Sequence, residues 1–431
     1  AAKYGVDIDL LTRGAGFGYI GSTITSLIYA SFTFIFFALE AAIMAQALEL
    51  CFGLPLFWGY LLSALVAIPL VTHGFTFLNR FQFWTQIAWA ILQLIPFIYI
   101  GASGLLSFHA WSQFDGRLGH PDGRFDPMLF GAAAAVVFAL VPQNAEQVDF
   151  LRFLPRQRKG NHLGWWAAII CAGPGWIVPG ILKMLAGSFL AVLLVQGGMS
   201  LESAAQPAHM YLFAFDKTLA NPQIAIAVTG IFVVVSQLKI NVTNAYAGSL
   251  AWSNFFSRLT HSHPGRVVWV VFNVTLAWLL MELGIYHTLE HTLGLYSNIP
   301  VAWMGAIFAD LAINKPLGLS PRHIEFKRAY LYDINPVGVG AMLTASVLAI
   351  AVYGGAFGEG YRGLAPFVAL GVSIAMTPLL AFATGGRYYL ARSRRTLADS
   401  DNSDIRCCIC EHSFEPPDMS DCPFYAGPIC S

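Results

Sequence analysis

Ten long apolar runs constrain the fold of this chain more than any other feature of its sequence. They lie at roughly 19–50, 54–72, 82–106, 127–150, 164–197, 222–252, 265–286, 289–313, 336–355 and 363–386, and a helix needs about 20 residues to cross a bilayer. Only 11% of the residues are charged, against about 25% in soluble domains. No run shows the sustained alternation that a membrane β-barrel requires. The sequence therefore predicts an all-α polytopic membrane protein that is embedded in a lipid bilayer.

The basic residues predict an orientation for these ten runs. Eighteen of the 24 Lys and Arg residues lie in one alternate set of connections, which includes both chain ends, and four lie in the other set. The remaining two, Lys183 and Lys239, fall within runs. Because basic loops stay on the cytoplasmic side, both chain ends are expected there, in agreement with an even number of spans. The formal net charge of zero gives no basic surface for nucleic acid.

The sixth run contains more polar side chains than a lipid-facing helix tolerates. Gln237, Asn241 and Asn244 recur at one helical face, and Gly248 continues that face with room for another backbone. Lys239 lies on a different face, and an uncompensated Lys at the bilayer centre costs about 3 kcal/mol or more. This helix must line a cavity or pack inside a bundle. Two interpretations remain: a polar network that only fixes helix packing, or a helix that binds a solute or ion.

Two other runs contain acidic residues. Glu40 lies near the middle of the first run, and an intramembrane carboxylate indicates a functional site unless a hydroxyl or Lys pairs with it. In the fourth run, Pro142 is followed by the polar stretch 143–149. This pattern predicts a helix that is interrupted within the membrane beside a cavity. The alternative is a helix that ends near Val141 and continues as a cytoplasmic loop.

The tail, residues 396–431, differs from the rest of the chain in composition. Acidic and polar residues precede four spaced cysteines, Cys407, Cys410, Cys422 and Cys430. Thiols stay reduced in a cytoplasmic compartment, so zinc or iron binding is favoured over disulfides. The alternative is a reduced tail without a metal. The composition divides the chain into a transmembrane domain, 1–395, and a Cys-rich cytoplasmic tail that is expected to continue beyond Ser431.

Three stretches together resemble the purine/cytosine permease family of nucleobase–cation symporters. They are KYGVDIDLLTRGAGFG at the start, VDFLRF after the interrupted run, and NVTNAYAGSLAWSN in the sixth run. The resemblance covers about residues 1–395. It implies the leucine-transporter-type inverted-repeat bundle, in which this chain begins just before the third span and lacks the first two helices. About ten transmembrane helices would then be present.

The resemblance also implies a substrate site. Phe36 and Glu40 match an aromatic residue and a side-chain amide of the family's third span, Phe138 matches a second aromatic residue, and Asn244 matches an asparagine of the eighth span. The family usually has Trp at both aromatic positions and Gln at the position of Glu40. A flat apolar slot is therefore expected to remain, and its changed polar end argues against one of the family's usual purine or hydantoin ligands.

Lys239 departs from the family pattern in a different way. Sodium-coupled members have small or hydroxyl residues five and six positions before the asparagine, where this chain has Lys239 and Leu238. An ammonium group there would occupy the cation site, so the sequence argues against sodium coupling. A lone ammonium group in mid-membrane needs either a partner or a lowered pKa, and Glu40, Glu146 and Asp149 are the candidate partners.

The tail resembles the cysteine-rich segment that follows permease-like modules in certain bacterial membrane sensor histidine kinases. This resemblance implies a bacterial inner membrane protein and leaves two functions open. The first is a permease-type domain that binds, and in one version translocates, a small nucleobase-like or other nitrogenous solute. The second is a sensory input module for a cytoplasmic kinase domain in the same polypeptide. No phosphoacceptor-His box, glycine-rich ATP motif or nucleophile–base set occurs in the sequence, so any enzymatic activity would lie outside it.

Overall fold

A computed structural model of the chain describes residues 2–104, 108–115, 124–158, 160–260, 264–391, 405–414, 419–421 and 427–430. It is 76% helical with almost no sheet, as the apolar runs predict.

The helices are short or long according to where Gly, Pro and capping residues occur. In chain order they are α1 Ile8–Thr12, α2 Gly21–Phe52, α3 Leu56–Leu65, α4 Ala67–Thr72, α5 Phe75–Ser103, α6 Phe108–Ser112, α7 Pro127–Phe138, α8 Gln143–Leu151, α9 His162–Ala172, α10 Ile177–Gln196, α11 Leu201–Ala204, α12 Pro207–Thr218, α13 Pro222–Thr260, α14 Arg266–Glu282, α15 Leu289–Tyr296, α16 Asn298–Ala309, α17 Lys315–Leu317, α18 Pro336–Tyr353 and α19 Ala365–Thr384. Two π-helical turns, Arg13–Phe17 and Asp310–Asn314, and four 3₁₀ turns, Pro174–Trp176, Ile285–Thr288, Arg328–Tyr330 and Glu359–Leu364, complete the helical structure of the described residues.

Local chemistry explains several of these boundaries. Asp126 and Asn335 cap α7 and α18 by accepting hydrogen bonds from the first-turn N–H groups, and a proline follows each cap, where its missing N–H costs nothing. Gly53 and Gly385 end α2 and α19 in the left-handed conformation that glycine adopts without strain.

Seven helical segments in the described part of the chain are long and apolar enough to cross a membrane. They are Gly21–Phe52, Thr76–Ser103, Pro127–Leu151, Pro174–Gln196, Pro222–Thr260, Pro336–Tyr353 and Glu359–Thr384. Shorter helices occupy the other three predicted spans, 54–72, 265–286 and 289–313. The structure therefore shows a helical bundle whose long apolar helices suit a membrane-embedded protein, and the count of ten spans stays a prediction.

The core of the bundle is built around α2. Of its most apolar stretch, 72% is buried inside the protein, against 17% for α5 and 22% for the segment that contains α10. Helices α13, α14 and α3 pack against α2, and α16, α18 and α19 pack against one another. Large apolar side chains of α5 and α10, among them Trp84 and Ile177, are exposed on the outside of the bundle, where lipid covers apolar surface.

The described part of the tail is folded into two small antiparallel hairpins. Strand β1, Ile405–Arg406, pairs with β2, Ser413–Phe414, and β3, Met419–Asp421, pairs with β4, Pro428–Cys430. Cys407, Met419 and Ile429 form its buried centre.

Candidate functional site

Helices α2, Gly21–Phe52, and α13, Pro222–Thr260, pack against each other, and we call the interface between them the α2–α13 seam. Contacts across the seam show which residues of the two helices lie opposite each other. Arg258 Nη1 donates to Ser22 Oγ at 2.7 Å. A methyl carbon added at Gly248 would lie 2.6 Å from Thr33 Oγ1, and one added at Gly230 would lie 2.9 Å from the Phe52 ring. Residue numbers thus fall on one helix as they rise on the other, so the helices run antiparallel in a single register.

The polar face of α13 is buried in the seam, as its periodicity predicts. Gln237, Asn241 and Asn244 are 9%, 0% and 3% exposed. Both side-chain atoms of Asn241, Nδ2 of Asn244 and Oε1 of Gln237 have no hydrogen-bond partner among the described residues. Buried polar groups are nearly always hydrogen-bonded, because leaving one unpaired costs about 1–3 kcal/mol. These amides therefore have hydrogen-bonding capacity that no described residue uses.

Gly248 is closely packed, but not against the backbone that the sequence analysis predicts. Its neighbours are side chains rather than another backbone: an added methyl carbon would lie 2.5 Å from Asn273 Oδ1. That oxygen accepts hydrogen bonds from Thr33 Oγ1 at 3.1 Å and Trp252 Nε1 at 3.0 Å. Gly248 therefore lets Asn273 join α2, α13 and α14 in one network.

Three of the four predicted substrate residues lie on the helices of the seam. Continuing the antiparallel register places Phe36 and Phe37 level with Asn244, and Glu40 level with Asn241. Phe36 is buried and packs on Phe32 with ring centroids 4.7 Å apart. Glu40 is half-buried and interacts electrostatically with Lys183 of α10.

Phe138, the fourth predicted residue, has a different neighbour. It lies at the end of α7, half-buried, with its ring in an edge contact with Phe367 of α19 at 5.2 Å between centroids. That all four residues share one binding slot stays a prediction.

Lys239 does not pair with any of the three carboxylates proposed for it. Its Nζ donates to the Gln82 carbonyl and to Thr85 Oγ1, both at 2.9 Å. Gln82 Nε2 donates in return to the Lys239 carbonyl at 2.7 Å. These partners are neutral groups on α5, so the expectation of an acidic partner is wrong. The reason is geometric, because Lys239 lies on the face of α13 opposite Asn241 and meets α5 there.

The fourth span is interrupted, as the sequence predicts. Helix α7 ends at Phe138, a turn contains Pro142, and α8 begins at Gln143. The polar stretch is therefore a second helix rather than a loop, and its Glu146 and Asp149 are 6% and 4% exposed. Asp149 accepts hydrogen bonds from the Ile8 N–H at 3.0 Å and the Tyr29 hydroxyl at 3.2 Å.

An acid–arginine network, which sequence reasoning did not identify, joins the chain start to the bundle. Arg258 of α13 forms a buried ion pair with Asp9 of α1. Asp9 also pairs with Arg13 at 3.3 Å and accepts from Ser26 Oγ at 2.8 Å. The sequence signal that could have pointed to this network is the opening motif KYGVDIDLLTRG, which contains Asp9.

A small cavity lies beside this network. It is lined by Asp7, Ile8, Asp9, Thr25, Ser26, Tyr29, Asp149, Leu250, Ala251, Asn254 and Trp303. The lining includes neither the four predicted substrate residues nor Asn241. The cavity belongs to the network at the chain start rather than to the polar face of the seam.

The tail brings three of its four predicted ligands together. The sulfur atoms of Cys407, Cys410 and Cys430 all lie within 4.8 Å of one another, and the Cys410 and Cys430 sulfurs are 3.6 Å apart. Cys422 lies outside the described residues. This cluster could hold a metal ion, because thiolates at such separations suit zinc or iron.

Three backbone N–H groups stabilise the thiolate form of Cys407. Burial alone would raise its pKa, but the N–H groups of Cys410, Cys430 and Ile409 point at Cys407 Sγ from 3.5, 3.3 and 3.4 Å. These N–H groups and a hydrogen bond with the Cys410 side chain together lower the pKa of Cys407 to about 6. The pKa of Cys430 is raised, first by burial and then by its neighbouring thiols.

The chain matches no known family model and none of the curated proteins with which it was compared. The class of protein defined so far is a membrane-embedded helical bundle with a cysteine-rich tail.

Proposed function

We propose that this chain is a permease-type membrane domain that binds, and in its transport cycle moves, a small planar nitrogenous solute such as a nucleobase-like heterocycle. The observation that carries the proposal is the set of buried, unpaired amides of Asn241 and Asn244 in the seam. A helix-packing network would satisfy its own hydrogen bonds, whereas a binding site leaves them for its ligand.

Two further features support this function. Phe36 offers a flat aromatic face at the level of Asn244, where a planar ring can stack. The residues that carry the resemblance to the nucleobase–cation symporters include Asn244 itself and the α8 stretch that ends VDFLRF. Binding sites between helices at mid-membrane are common in transporters, where discontinuous helices line them.

A binding assay with one amide removed tests the proposal. Purified protein in detergent is titrated with a panel of planar heterocycles, including cytosine, adenine and 2-aminopyridine, and Trp fluorescence or thermal stabilisation is recorded. Asn244→Ala should weaken binding by about tenfold, because a lost hydrogen bond of about 1.4 kcal/mol is a factor of ten.

Asn144→Ala is the matched control, since the exposed Asn144 amide donates to the Val141 carbonyl of its own turn, at 2.9 Å, and to no other group in the described part of the chain. The proposal fails if no member of the panel binds, or if Asn244→Ala and Asn144→Ala bind alike.

A second candidate function is the input module of a membrane sensor histidine kinase, and the tail favours it. A bundle that only transports needs no thiol cluster after its last span. Solute uptake into proteoliposomes distinguishes the two functions. Binding without uptake, together with solute-dependent phosphorylation of the parent polypeptide, would establish the sensor.

For the tail we propose a single zinc or iron ion bound by Cys407, Cys410 and Cys430, with Cys422 as the fourth thiolate. Zinc–sulfur bonds are about 2.3 Å long, so sulfurs that lie within 4.8 Å of one another can close on one ion with small side-chain rotations. Metal analysis should find about one ion per chain, and Cys407→Ser should release it, while Ser substitution of the exposed Cys408 should not. Absence of metal under reducing conditions would refute this site.

A further inference from the structure

Asn241 differs from the other amides of the seam because both of its side-chain atoms are unpaired. It is fully buried, and neither Nδ2 nor Oδ1 has a hydrogen-bond partner among the described residues. A side-chain amide with one free donor beside one free acceptor matches a planar edge that carries an acceptor beside a donor. Two kinds of edge meet this need: a ring nitrogen next to an amino group, or a carbonyl next to a ring N–H.

Glu40 decides between these two edges. Thr33 contacts Gly248 across the seam, and Glu40 lies seven residues after Thr33, on the same face of α2. Asn241 lies seven residues before Gly248, on the same face of α13. The antiparallel register therefore sets Glu40 opposite Asn241. An ionised carboxylate only accepts hydrogen bonds, so the group facing it must donate.

The other unpaired polar atoms of the seam also favour a solute that donates hydrogen bonds. Gln237 Oε1 is a further unpaired acceptor one turn from Asn241. The unpaired amide atoms of the seam comprise two acceptors, Gln237 Oε1 and Asn241 Oδ1, and two donors, Asn241 Nδ2 and Asn244 Nδ2, so the Glu40 carboxylate is an acceptor in addition to an equal set. A solute rich in N–H groups satisfies this set, whereas a solute rich in carbonyl groups leaves acceptors facing acceptors.

We infer that Asn241 and Glu40 are the specificity-determining pair of the seam, and that they select planar heterocycles with an amino group beside a ring nitrogen over the corresponding ring carbonyls. This inference rests on the proposed function. Asn241 binds the ring nitrogen and one amino hydrogen, and Glu40 accepts the second amino hydrogen. A ring carbonyl at that place would direct its lone pairs at the carboxylate.

Two probes of nearly equal size test the selection, 2-aminopyridine and 2-pyridone. Binding is measured at about pH 8, so that the aminopyridine ring is mainly neutral. The wild type should prefer 2-aminopyridine by about tenfold or more. Asn241→Leu should weaken 2-aminopyridine binding by about 10–100-fold, since two hydrogen bonds are lost. Glu40→Gln, which can donate, should lower the preference to near one.

The outcomes separate this inference from the proposed function. Equal affinity of the wild type for both probes overturns the inference, as does a preference that Glu40→Gln leaves unchanged. If 2-aminopyridine binding depends on Asn244 but not on Asn241 or Glu40, the function stands and the inference falls. If neither probe binds while other heterocycles of the panel do, the inference is again wrong. Asn241→Asp keeps the shape and Oδ1 and loses the donor, so it provides the test should Asn241→Leu fail to fold.

Discussion

At the residue scale, Gly248 shows how closely the two central helices approach. An added methyl carbon would lie 2.5 Å from Asn273 Oδ1 and 2.6 Å from Thr33 Oγ1, well inside van der Waals contact. Gly248→Ala should therefore destabilise the protein by about 1–3 kcal/mol, the usual cost of overpacking, measured as thermal unfolding in detergent. Gly371→Ala in α19 is the control, because no atom lies within 4 Å of its added methyl carbon. Equal unfolding midpoints for the two variants would contradict the packing described.

Arg258 gives a second prediction at this scale. Its partner Asp9 is 5% exposed, and the Arg258 side chain is 4% exposed. Arg258→Ala leaves a buried carboxylate whose remaining side-chain partners among the residues that the structure describes are Arg13 and Ser26, so we expect a loss of about 3 kcal/mol in unfolding free energy. Arg362→Ala, which removes the exposed pair with Glu359, should cost less than about 1 kcal/mol. An Arg258 variant as stable as the Arg362 variant would show that the network is not needed for stability.

The seam residues were predictable from sequence, while their partners were not. The spacing of Gln237, Asn241 and Asn244 sets one buried face, because helical geometry is local. The partner of Lys239 depends on which helix packs against its face, and three carboxylates seemed chemically suited. The structure gives it α5 and neutral groups, because neighbours in a bundle follow from the packing of the whole chain. Asp9 and Arg258 are 249 positions apart, and no local pattern connects them.

At the scale of elements, Lys239 joins α13 to α5. Its two hydrogen bonds to Gln82 and Thr85 hold the helices in the manner that a coordinated cation would. Ligand affinity should therefore be the same in sodium and choline buffers. Lys239→Thr, which introduces a hydroxyl like those of sodium-coupled permeases, is the informative variant. Strong sodium stimulation of wild-type binding would show that Lys239 does not replace the cation.

The tail hairpins yield a prediction on pH. Cys407 has a folded pKa lowered to about 6, below its ordinary value of 9.0, so its stabilising contribution is present above pH 9 and is lost as pH falls through 6. The contribution of Cys430, whose pKa is raised, changes only above pH 9. The metal-free tail should thus be more resistant to urea at pH 8.5 than at pH 6.5, as methyl NMR of Ile429 and Met419 in the full chain can record. The reverse order would show that the N–H groups do not stabilise the thiolate.

At the scale of the whole molecule, the sequence predicted the class of fold because apolar length and low charge depend on the membrane rather than on packing. The interrupted span was also predictable, since Pro142 removes a donor at a fixed place. Whether a given helix lies at the centre or at the periphery of the bundle was not predictable from the sequence. Helices α2 and α5 are both strongly apolar, yet α2 is central and α5 is at the periphery. Apolar composition suits protein and lipid neighbours alike, so only the three-dimensional arrangement separates them.

The hydrogen bonds at the chain start have a consequence for the order of assembly. Arg13 Nη1 donates to the Phe326 carbonyl at 3.2 Å, and the Phe17 carbonyl accepts from the Asn335 N–H at 3.0 Å. These partners emerge from the ribosome more than 300 residues later, which is about 15–60 s of synthesis. During that interval residues 13–17 are without these two partners. Residues 13–17 can therefore make these contacts only after eight of the predicted spans have been made, and nascent chains that end before Phe326 should remain open to protease there.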